Sequence, residues 1–141
     1  MKERILIISD LWGREKAESL VNYTRILEKV FDVVFYDSYE LGQIDVSNCT
    51  QENVHRQFVG GGIENAIETL VKSEKQKVNI LAFSIGGTIA WNFGLKTDNI
   101  NSLVCISSTR LRNETERPKG DVELYFGKND EYRPTVEWFE N

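Results

Sequence analysis

The chain has 141 residues, 40% hydrophobic and 28% charged, enough for a real core and read as a single domain over residues 1–141. Its net charge of −5 argues against nucleic acid and against a membrane surface as partners, and no run approaches the ~20 apolar residues of a membrane span. Ile5-Leu6-Ile7-Ile8 is too short for a signal peptide and Cys49 and Cys105 form no CxxC pair, so a cytoplasmic protein with reduced thiols and no zinc or iron site is expected.

Strand and helix patterns alternate along the chain. Residues 4–9 are a β-branched run suited to a strand buried on both faces. Ala17, Leu20, Val21, Leu27 and Phe31 follow at helical spacing over residues 14–30, and residues 33–36 form a second strand. Residues 38–59 read as a long polar connection. Ile63, Ala66, Ile67, Leu70 and Val71 then make a clean helical stripe. Residues 78–83 are a third strand, 88–95 a buried helix, and 103–106 and 122–126 the last two strands, with a charged loop at 108–120 between them. The tail at 135–141 has room for one or two helical turns.

This pattern predicts an α/β fold: three layers around a mainly parallel five-stranded sheet of order 2-1-3-4-5. In such sheets ligands bind outside the carboxyl ends of strands 1 and 3. Strand 3 ends at Ser84, in Ala82-Phe83-Ser84-Ile85-Gly86-Gly87. A strand that enters a small-x-Ser-x-Gly turn and then a helix is the pattern of a nucleophile elbow. The turn is tight, so the residues two before and two after the serine must be small, as Ala82 and Gly86 are. The bland alternative is a serine that caps a helix.

Through these residues the chain resembles the α/β-hydrolase superfamily of serine hydrolases, as a minimal core without a cap. The resemblance implies Ser84 as nucleophile and the Ile85 backbone N–H as one oxyanion donor. It places the second donor after strand 1, at Leu11 or Trp12, although Ser9-Asp10 stands where the family begins that loop with His-Gly. Phe126-Gly127-Lys128-Asn129-Asp130 resembles the family's acid turn and makes Asp130 the acid, with a plain surface turn as the alternative. The family's histidine comes after the acid, but no histidine follows Asp130 before Asn141, so the chain reads as truncated before that residue. The one histidine, His55, lies upstream; it is read either as a base that approaches Ser84 or as a solvated loop residue.

Gly60-Gly61-Gly62 is read as a flexible start of a helix rather than an anion cradle. Arg110 and Arg112 either meet a carboxylate substrate or pair with Glu114 and Glu116 on a solvated loop. The expected activity is hydrolysis of a small carboxylic ester, thioester or related acyl compound, with no metal or organic cofactor. The alternative is a catalytically degenerate relative that binds a small molecule or a protein partner. The order of the sheet leaves helix 14–30 alone on one face, only partly covered by Val136, Trp138 and Phe139 of the tail, and leaves the strand at 122–126 as an exposed edge with Val122, Leu124 and Phe126, so a homodimer through that strand or the tail is expected.

Overall fold

The computed structural model describes residues 3–10, 18–47 and 50–140. Five strands form one sheet: β1 (Glu3–Ile8), β2 (Phe31–Tyr36), β3 (Val78–Phe83), β4 (Ile100–Ile106) and β5 (Asp121–Tyr125). Their order is β2-β1-β3-β4-β5, and every pairing is parallel. The β-branched run of β1 is buried on both sides, as its composition requires. Strand alternation sends Leu6 and Ile8 to one face of the sheet and Ile5 and Ile7 to the other.

The Leu6 face carries α4 (Ile63–Ser73) and α5 (Ile85–Thr97), and the Ile5 face carries α1 (Glu18–Leu27), whose Leu27 packs on Ile5, Ile7 and Leu81. That division follows from right-handed crossovers in this strand order. Buried Glu74, just past α4, is paired by the Arg4 guanidinium and by the Tyr36 hydroxyl, which donates to it at 2.5 Å. Burial, then this contact with Glu74, pushes the Tyr36 hydroxyl up to about 12.

Two expectations are corrected. The connection at 38–59 is not irregular: it holds α2 (Ser38–Gly42) and α3 (Gln51–Gln57). Each is started by a side-chain cap inside a polar stretch, Asp37 Oδ1 accepting from Tyr39 N and Thr50 Oγ1 from Asn53 N. A wide turn at Phe58–Gly62, bent at Gly61 (φ +146°), then joins α3 to α4; glycine alone enters that region without strain. The tail forms α6 (Val136–Glu140), but Trp138 does not cover the α1 face. Its ring lies 5.8 Å from that of Trp91, and it joins the core on the α5 side. A large indole finds more contact against another buried indole than across an open sheet. Among the described residues no helix is long and apolar enough to cross a membrane.

The register lines up the strand ends: Ile8 pairs with Ala82, Phe83 with Ile106, and Ile106 with Tyr125. Ser9, Ser84, Ser107 and the Phe126–Asp130 turn therefore all leave the same edge of the sheet.

Candidate active site

Ser84 sits where β3 turns into α5, with φ +52° and ψ −118°. A non-glycine residue held there costs roughly 1–3 kcal/mol, and persists only where its surroundings dictate it. The surroundings are specific. The Ser84 N–H donates to the Ile106 carbonyl at 2.8 Å, which extends the sheet ladder through the turn. Ala82 is fully buried, and a Cβ added to Gly86 would lie 2.6 Å from the Ser9 carbonyl oxygen and 2.8 Å from that of Ile8. Small residues on either side of the serine thus let the head of α5 lie against the end of β1. The Ser84 hydroxyl does not cap α5, and its dihedrals are not those of a helix cap. The helix-cap alternative is thereby removed.

The Ile85 N–H stands at the head of α5, where the first N–H groups of a helix have no intrahelical acceptor. The amino end of a helix favours negative charge nearby. Ser84 and Ile85 line a cavity of about 730 Å³. His55 lines the same cavity from α3. Its neighbour Val54 is buried and anchors α3, which leaves His55 exposed on the adjoining face. His55 therefore shares a cavity with Ser84 while remaining exposed to solvent.

Asp130 is placed differently. It follows β5 at the same edge, but it does not line the cavity; Tyr132, two residues on, does. The Asp130 carboxylate accepts the Tyr132 N–H at 2.9 Å. β4 stands between β3 and β5, so the strands that precede Ser84 and Asp130 are two spacings apart, about 10 Å. Leu11 and Trp12, expected to supply the second oxyanion donor, lie outside the described residues.

Thr88 and Tyr132 are among the lining residues that the sequence does not signal as site candidates. Thr88 follows Ser84 by one helical turn, and that spacing alone puts it on the same side of α5. Its Oγ1 is buried with no hydrogen-bond partner among the described residues. Tyr132 carries no local signal; the turn after β5 delivers it. Beneath the site, Cys105 is fully buried, and desolvation, opposed in part by the nearby Ser108 side chain, pushes its thiol up to about 12. It is a core residue, not a nucleophile. Gly60, Gly61 and Gly62 line a separate shallow cavity of about 320 Å³ and serve as the bend between helices.

No protein-family model and no curated protein sequence matches the chain. Solved structures do. A candidate hydrolase of the alpha/beta superfamily from Xanthomonas campestris pv. campestris superposes with a TM-score of 0.68, over 99% of this chain and 79% of its own, at 13% identity. A candidate dienelactone hydrolase from Klebsiella pneumoniae subsp. pneumoniae MGH 78578 superposes with a TM-score of 0.55, over 99% of this chain and 66% of its own, again at 13% identity. Sheet order and these two likenesses agree: the chain has the α/β-hydrolase fold.

Proposed function

We propose that the protein is a serine hydrolase acting on a small carboxylic ester, thioester or related acyl compound. The observation that carries this reading is Ser84 itself: a strained turn residue, its hydroxyl unused as a cap, on the wall of a cavity of about 730 Å³ that also receives His55. A backbone strained at one residue beside a cavity is the kind of feature that function maintains.

In the proposed reaction the Ser84 oxygen attacks the acyl carbon and its proton passes to the His55 imidazole. The Ile85 N–H receives the negative charge that develops on the carbonyl oxygen. The carbon–oxygen or carbon–sulfur bond then breaks, and the departing alcohol or thiol takes the proton. Water repeats the sequence on the acyl-serine: it gives a proton to the imidazole and releases the acid and the free hydroxyl. Asp130 is the acid in this reading by its place in the turn after β5, although it lies outside the cavity that Ser84 and His55 line. No metal or organic cofactor enters these steps.

A fluorophosphonate probe tests the reading. It should label the wild-type chain on Ser84 and leave Ser84→Ala unlabelled; absence of label on the wild type would remove it. His55→Ala should slow phenyl acetate hydrolysis by ~100-fold or more.

The placement of Asp130 outside the cavity favours a second reading, a degenerate relative that binds a small acyl ligand without turning it over. An unlabelled wild type that still binds a small acid in the Ser84 cavity would select it.

A further inference from the structure

We infer that the acyl compound taken by this cavity carries a carboxylate remote from the scissile bond, and that Arg110 is the residue that selects it. The inference rests on the hydrolase reading for its chemistry, but not for its binding.

The chain is acidic, with a net charge of −5. Yet the turn at Thr109–Asn113 brings two guanidinium groups, Arg110 and Arg112, to the cavity that holds Ser84. The turn is fixed from below: Leu111, between the two arginines, has no exposed surface. It is also aimed by Ser107, whose φ of +57° bends the chain as it leaves β4. Arg112 has partners. Its Nη1 donates to the Thr109 carbonyl at 2.9 Å, and its guanidinium carbon lies 5.7 Å from the centre of the Tyr132 ring.

Arg110 has none among the described residues. It is half-buried, its Nε is out of reach of solvent without a hydrogen-bond partner, and no ion pair joins it to a carboxylate. Two of the acids around it pair with other cations. Glu52, on the cavity wall, pairs with Arg56 at 3.2 Å. Glu64 and Glu114 line a smaller cavity of about 220 Å³ that shares Thr88 and Arg110 as its wall, and Glu64 faces Lys96 at 3.9 Å. The backbone of Glu114 and Glu116 is pinned by indoles: their carbonyls accept from Trp138 at 2.9 Å and Trp91 at 3.0 Å. That fixes the backbone of the loop beside the arginines, and among the described residues no ion pair joins its carboxylates to Arg110.

A buried donor without a partner is costly, and a partly desolvated cation without a counter-charge more so. Packing maintains Arg110 in that state beside the nucleophile. Thr88 adds a second unpartnered polar atom on the same wall. A planar guanidinium with its donors unused is the complement of a carboxylate. The anion would sit at Arg110 while the acyl carbon sits at Ser84, so the substrate class is the monoester or monothioester of a dicarboxylic acid. The free carboxylate is a spectator; no bond to it forms or breaks.

The test compares phenyl hexanoate with the monophenyl ester of adipic acid, chains of equal length that differ in one terminal carboxylate. The wild-type kcat/KM should favour the adipate ester by ~10-fold or more, and added salt should lower that ratio. Arg110→Gln should bring the ratio close to one, and Arg110→Lys should retain part of it. The ratio cancels losses of folded protein, which thermal melting measures separately. A wild-type ratio near one, or one that survives Arg110→Gln, overturns the inference and leaves the hydrolase reading standing. If neither ester is hydrolysed, that reading fails alone. Calorimetric titration of adipate into Ser84→Ala then decides: binding lost on adding Arg110→Gln supports the inference, and no binding, or binding indifferent to Arg110, overturns it.

Discussion

Against α4 and α5 the sheet buries Leu6, Ile8, Ile80, Ala82, Leu103 and Cys105, each with almost no exposed surface. Against α1, among the described residues, only Ile7 reaches that state; Ile5 and Leu81 each keep 8% exposure, and Phe35, Phe83, Val104 and Ile106 stay partly open. The two faces alternate residue by residue along the same strands, so composition does not distinguish them. What differs is the number of helices available to cover each, and strand order with right-handed crossovers dictates that number. The candidate nucleophile belongs to the closed face. Ser84 heads α5, a helix buried along most of its length by Ile89, Ala90, Trp91 and Phe93. Close packing on that side holds a dihedral the residue would not choose alone.

This contrast is open to attack by mutation, and the largest effect belongs to the closed face. Phe93→Ala removes a ring with no exposed surface and should cost about 3–5 kcal/mol of unfolding free energy, read from urea titration. A loss near 1 kcal/mol would show that α5 is not the rigid support described here. Gly86→Ala comes next. The new methyl meets the Ser9 and Ile8 carbonyl oxygens, which are backbone and cannot rotate aside. It should cost roughly 1–3 kcal/mol and also displace the Ser84 turn, so fluorophosphonate labelling should slow by more than stability alone explains. Equal labelling rates at equal folded fraction would separate the glycine from the site.

Alkali gives a milder probe of the same face. The Cys105 thiol has its folded value raised from 9.0 to about 12, mainly by desolvation. Its neutral form is therefore favoured by folding. That contribution is fully present below pH 9 and fades as pH rises toward 12, with a slope of at most about 1.4 kcal/mol per pH unit. Tyr36, raised from 10.0 to about 12, adds to the fall above pH 10. Cys105→Ala should flatten the wild-type decline between pH 9 and 10, where the thiol acts without the phenol. An unchanged slope would mean that the thiol meets solvent in the folded state.

The closed face was the legible one. β-branched runs gave the strands, and one steric requirement tied Ala82, Ser84 and Gly86 to an elbow, because a tight strand-to-helix turn has few solutions. α2 and α3 were missed because single caps, Asp37 and Thr50, start them and few apolar side chains hold them, Leu41, Val54 and Phe58 among them. No helical stripe of useful length results. The position of His55 depended on how α3 docks and on the bend at Gly61, neither of which leaves a periodic trace. Trp138 was assigned to the wrong face because its partner, Trp91, is 47 residues away and only the folded chain brings them together. For Arg110 the charge pattern offered two readings. Pinning of the Glu114–Glu116 backbone by two indoles is a tertiary fact that no spacing encodes.

The smallest effect should come from the open face. Val104 lies on β4 among the partly buried residues of the α1 side, next to Ile106 and Leu81. Val104→Ala removes two methyl groups that water already reaches in part, so the loss should be at most about 1 kcal/mol, and nearby atoms relax into the space. The value matters because it measures what covers this face in solution. A second protomer seated there would turn a half-exposed valine into a buried one. The cost would then approach that of a core truncation, and the unfolding midpoint would rise with protein concentration. A homodimer through this face thus predicts a large, concentration-dependent loss for Val104→Ala, and a monomer predicts a small, constant one. Trp138→Asp is a poor substitute for this test, because Trp138 holds Trp91 and the Glu114 carbonyl within one chain and its loss would loosen the fold itself.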